Sequence, residues 1–119
     1  MSLDFTLYRF ADYPLHPDTD VGSLERLPLG TVAEVRGLIS VQLPGVEWES
    51  FYTGYLDGDG FRLDFFVGSY TGDDDDTINH LDIAVHGHSI DSAIDALLQL
   101  AGPNQWTIQE SMEGQLILP

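Results

Sequence analysis

Three of the four histidines, His80, His86 and His88, fall within nine residues and bracket Asp82. Imidazole is a common metal ligand and a common proton carrier. Alternation along a strand would put His80, Asp82 and His86 on one face. Six residues of extended chain nevertheless separate His80 from His86 by about 20 Å, too far to share one ion. His86 and His88 flank Gly87, where the chain turns, so their side chains diverge. The remaining histidine, His16, lies in a proline-rich loop. No three ligands converge, and neither a metal nor another cofactor is expected.

Proton transfer is the other chemistry these residues offer. If segments 61–68 and 77–86 pair, Arg62 and Asp64 join Asp82 and His86 on one sheet face. An acid beside a histidine can serve as a general acid–base pair. A cross-strand polar ladder, with Arg62 paired to a carboxylate, accounts for the same residues. No nucleophile motif accompanies them. Ser89 follows Gly87-His88, but as the cap of a helix and without the glycine pattern of a nucleophile elbow. The chain is therefore expected not to be an enzyme. A small enzyme or metal-binding module on the His80, Asp82 and His86 face is the alternative.

Two acidic stretches suggest calcium. Asp73, Asp74, Asp75 and Asp76 are consecutive, and consecutive residues cannot all turn toward one ion needing six to eight oxygens. They read as a solvated loop whose charge blunts strand edges. Asp57-Gly58-Asp59-Gly60 opens like a calcium loop but lacks its third ligand position and its distal glutamate. A hairpin turn explains all four residues. A third cluster, Trp48, Phe51, Tyr52 and Tyr55 bordered by Glu47 and Glu49, suits either a binding surface or the core.

The elements that would carry these residues follow from periodicity. Leu3, Phe5, Leu7 and Phe10 alternate with polar positions, predicting a strand over 3–10. Pro14, Pro17 and Pro28 mark a long loop over 11–30. Val32, Val35, Ile39 and Leu43 recur at helical spacing, with Thr31 and Glu34 placed as a capping box; a strand over 31–43 remains the competing possibility. Pro44-Gly45 stops that element. Strands follow at 51–57, 61–68 and 77–86. Ile90, Ala93, Ile94, Leu97, Leu98 and Ala101 form the stripe of a second helix, which begins at Ser89 and ends at Gly102-Pro103. A terminal hairpin pairs 105–110 with 115–118. The whole reads as a single α+β domain over 1–119. It has two layers, a mostly antiparallel sheet of five to six strands with two helices on one face.

Charge bounds the partner. Twenty acidic residues stand against four arginines and no lysine, a net charge of −16. The acids lie in every segment. Such a field repels nucleic acid and anionic membranes and attracts basic proteins. The same acidity is what solubility or a high-salt host would select. There is no cysteine, which removes disulfides, thiolate zinc sites and a cysteine nucleophile. With no signal-like start and no long apolar run, a cytoplasmic protein is expected.

From Pro28 onward, Leu29-Gly30, Val35-Arg36, Ile39-Ser40, Leu43-Pro44 and Trp48 occur in order. Gly54, the Leu63–Phe66 strand, Val85-His86-Gly87 and Trp106 follow. This pattern, over roughly three-quarters of the chain, resembles small acidic bacterial proteins of the toxin-immunity type. The resemblance implies a small cytosolic inhibitor without catalytic residues and carries no functional residue across. The expectation is an immunity protein that occludes a basic toxin through Glu47, Trp48, Glu49 and Asp73–Asp76. A DNA mimic acting on a nucleic-acid-binding protein is a further alternative.

Overall fold

Residues 2–13, 15–16, 18–69 and 71–117 are described by a computed structural model, Ser2 by its backbone alone. Pro14 and Pro17 of the expected loop, Tyr70 of the acidic loop and Leu118 of the expected last strand lie outside the described residues.

The strand alternation read from the sequence builds the sheet. Strand β1 (Ser2–Phe10) pairs antiparallel with β8 (His80–Gly87) on one side and with β9 (Thr107–Glu110) on the other. Beyond β8 come β6 (Phe61–Phe66), β5 (Thr53–Asp57) and β4 (Glu47–Trp48). Beyond β9 lies β10 (Leu116–Ile117), and β2 (Arg26–Leu27) pairs with the end of β1. The main sheet thus has eight strands, more than the five to six expected. The two additions, β2 and β4, are two residues long and too short to show a period. A separate ribbon joins β3 (Gly30–Thr31) to β7 (Thr77–Ile78). Its second strand was expected as the start of one continuous strand over 77–86.

Both helices cover one face. Val32, Val35 and Ile39 of α1 (Val32–Gln42) and Ala93, Leu97, Leu100 and Ala101 of α2 (Ile90–Asn104) are buried there. They meet Phe5, Leu7, Leu63, Phe65, Leu81, Ile83, Val85 and Ile108 of the sheet in one core. The Cα radius of gyration, 13.5 Å, is that of a compact chain of this length. No described helix is long and apolar enough to cross a membrane.

The start of α1 resolves the choice between helix and strand over 31–43. Thr31 Oγ1 accepts from the Glu34 amide at 3.2 Å, and Glu34 Oε1 accepts from the Thr31 amide at 2.9 Å. The amides of Val32 and Ala33 donate to the carbonyls of Asp76 and Asp74. All of the first three amides of α1 are therefore satisfied, where an uncapped helix leaves its first four unpaired. Thr31→Ala should cost about 1 kcal/mol, read as a lower urea midpoint at unchanged slope.

Helix α2 differs from expectation at both ends. Ser89 occupies the N-cap position, but its side chain makes no capping bond. Instead the amides of His88 and Ser89 both donate to the Gly60 carbonyl at 3.0 Å, which ties the helix entry to the β5–β6 turn. At the other end the helix runs through Gly102 and Pro103 to Asn104. Proline sits in the last turn, where it forfeits a single amide bond. The stop comes from Gln105 in the left-handed region (φ 59°), with Gln105 donating to Gly102 and Trp106 to Ala101. That is a Schellman closure without its usual glycine.

Candidate partner-binding surface

The face of the sheet turned away from the helices carries the polar residues singled out in the sequence. Pairing of β6 with β8 sets Arg62 opposite His86, Asp64 opposite Ala84 and Phe66 opposite Asp82. The hairpin register, Asp57 opposite Arg62, places Tyr55 against Asp64, and the pairing of β4 with β5 sets Glu47 against Tyr55. A ladder results. His86 Nε2 lies 2.9 Å from Asp64 Oδ2, and Arg62 Nε donates to Asp64 Oδ1 at 3.0 Å. The Arg62 guanidinium sits 4.2 Å above the Tyr55 ring, a cation–π contact. Tyr55 donates its hydroxyl to Glu47 Oε2 at 2.5 Å.

This bond, followed by the Glu47 charge, raises the Tyr55 pKa above its ordinary value. The hydrogen bond from Arg62 to Asp64 likewise raises the guanidinium's. A raised folded-state pKa gives a contribution present at neutral pH and lost as pH climbs through the phenol's titration. The Tyr55–Glu47 link was missed in the sequence, because it depends on the pairing of β4 with β5 and a two-residue strand shows no period.

On the same face His80 Nε2 approaches Asp82 Oδ2 at 3.4 Å, and Thr6 Oγ1 donates to Asp82 Oδ1 at 3.1 Å. Each of the two strand histidines therefore has a carboxylate beside it. Among the described residues neither is hydrogen-bonded to a hydroxyl. Nor do any three His, Asp or Glu side chains among them converge as a metal centre requires.

The acidic loop occupies a different edge. Asp73, Asp74, Asp75 and Asp76 are all exposed. Their turn is closed locally: the Asp76 amide donates to the Asp73 carbonyl, and the Asp73 amide to Asp76 Oδ2 at 2.9 Å. The β3–β7 ribbon holds the loop over the first turn of α1, where two of its carbonyls cap the helix. Negative charge there is favoured by the helix dipole.

The residues around Trp48 separate. Glu47 and Trp48 are neighbours on β4 and point to opposite faces, as strand geometry requires. Glu47 joins the ladder. Trp48 is half-buried against the core, stacks beneath the Arg36 guanidinium at 4.7 Å and donates its indole N–H to Ser40 Oγ at 3.0 Å. Gly54 lies under the ring: a Cβ there would come within 2.6 Å of it. Glu49 is exposed in the following turn, where its amide donates to the Thr53 carbonyl. Phe51, in the same turn, shares an open hollow of about 380 Å³ with Gly72, Asp73 and Asp74. The fold thus brings the Glu49–Phe51 turn to the acidic loop, while Glu47 and Trp48 face away from each other.

Comparison with protein-family models, with curated proteins and with solved structures gives no match to this chain.

Proposed function

We propose that the protein is a non-enzymatic acidic binder that neutralises a basic protein by covering its active site. This is how an immunity protein restrains a bacterial toxin in the cytoplasm. One observation carries the reading. Of the 20 acidic residues, only Asp18, Asp57, Asp64 and Asp82 have a basic side chain in ion-pair contact among the described residues. The other carboxylates have no basic side chain beside them among the described residues, even where they accept backbone or hydroxyl hydrogen bonds, so their charge remains available to a partner. Charge of this kind speeds encounter with a basic surface and disfavours acidic ones. The first contacts in this reading are Asp73–Asp76, Glu49 and the hollow that Phe51 shares with Asp73 and Asp74, with Trp48 anchoring β4 to the core. Glu47 extends the acidic surface around the sheet edge.

The test captures the partner on the purified protein and assays that partner's activity in the complex. The expected result is a stoichiometric complex in which the partner's toxic activity is lost. A partner that is itself acidic, or a basic one that keeps its activity when bound, would overturn the reading. Displacement of the bound partner by duplex DNA would replace occlusion with mimicry of DNA.

A further inference from the structure

We propose that the open sheet face around Phe66 is a second docking surface, taking an extended basic segment of a protein partner with an aliphatic side chain seated on the Phe66 ring. The proposal rests on the basic-partner reading above and adds where the partner is gripped.

Alternation along β6 buries Leu63 and Phe65 and turns Phe66 to the opposite face with Arg62 and Asp64. There Phe66 is 43% exposed, a large apolar ring on a face that carries mainly charged and polar side chains. It is not among the side chains packed into or against the core. The register sets Asp82 beside it on β8 and Thr6 beyond that on β1. Two hollows meet at this row and share Phe66 and Asp82. One, of about 480 Å³, opens toward Asp76 and His80; the other, of about 280 Å³, opens toward Asp4 and Ser111. A third continues from Asp4 and Ser111 to Met112, which is 89% exposed. The trough therefore crosses β6, β8 and β1, with exposed apolar side chains at Phe66 and Met112 and carboxylates between them.

Aromatic residues and methionine are enriched where proteins meet, and a sheet face turned only to water does not need them. Charge selects the occupant. A second copy of this chain carries the same −16, and nucleic acid is repelled equally. A segment bearing arginine or lysine, alternating with an aliphatic residue, matches both linings. The Asp82 carboxylate is already oriented by Thr6 and His80, so little side-chain freedom is lost when a cation arrives.

Two heptapeptide probes of equal charge test this: arginine alternating with leucine, and arginine alternating with serine. Each is titrated at low salt into the ¹⁵N-labelled protein while amide signals are followed. The leucine probe should shift Thr6, Phe66, Asp82 and Ser111 first and bind about fivefold more tightly than the serine probe. Phe66→Ser should erase that preference, and Phe66→Leu should keep it. If the largest shifts fall on Asp73–Asp75, away from the trough, or Phe66→Ser leaves the preference intact, this surface is wrong and the basic-partner reading survives. If neither probe moves any signal, the basic-partner reading itself falls, and this surface with it.

Discussion

Gly87→Ala should destabilise the fold by about 3 kcal/mol or more, enough to leave a domain of this size only marginally folded. Gly87 ends β8 with φ at +113°, a backbone conformation that side chains rarely adopt. A Cβ there would press on the Gly60 carbonyl oxygen and lie 2.8 Å from the Phe61 Cα. Those neighbours are backbone and cannot swing aside. Gly87 pairs with Phe61 in the ladder, and the Gly60 carbonyl holds the amides of His88 and Ser89. Relief of the clash would have to separate β6 from β8 or lift α2 off the hairpin. Gly37→Ala is the matched control. It lies inside α1 with nothing within 4 Å of its Cβ position, and it should stabilise by about 0.5–1 kcal/mol. Urea unfolding of the two variants reads both. A Gly87→Ala midpoint equal to that of the parent would refute the role assigned to this junction.

The same junction shows what local sequence reveals. Gly87 was legible as a sharp exit because alternation ends there and a helical stripe begins. Its partner Gly60 was legible only as a turn residue, since contact between the two depends on the pairing of strands 61–66 and 80–87. Helix α1 was legible through Thr31 and Glu34, whose spacing is a local signal. The β3–β7 ribbon was not, because two-residue strands carry no period. That ribbon is what sets the acidic loop on the α1 N-terminus and brings Asp73 and Asp74 to Phe51. Grouping Glu47, Trp48 and Glu49 by proximity in sequence hid the strand geometry that sends Glu47 to one face and Trp48 to the other. Alternation put Arg62 with Asp64, and Asp82 with His86, on one side of their strands, and the β6–β8 pairing joins the two sets on one face. The exposed ring of Phe66 on that face was visible in the pattern too, but only its setting between two hollows gives it meaning.

Association with the basic partner should slow by about 10- to 100-fold between 10 mM and 150 mM salt, while dissociation changes little. The reason is range. The molecule measures 36 × 35 × 24 Å. At 10 mM salt the screening length is about 30 Å, so carboxylates on every side act together on an approaching cation. At 150 mM it shrinks to about 8 Å, and only the charges near the contact still act. Replacing all four aspartates at 73–76 with asparagine separates the whole field from the contact. The amide side chain introduced by Asp76→Asn would still offer a carbonyl oxygen to the backbone N–H at position 73. The carbonyls that cap α1 are backbone, so stability should change by no more than about 1 kcal/mol. If the loop is the contact, this variant associates more slowly at both salt concentrations. Asp91→Asn with Asp95→Asn, on the exposed side of α2, should slow association only at 10 mM. Stopped-flow rates at the two salt concentrations distinguish the cases. Equal slowing by both variants at 150 mM would remove the loop as the contact, and a salt-independent rate for the parent would remove electrostatic steering altogether.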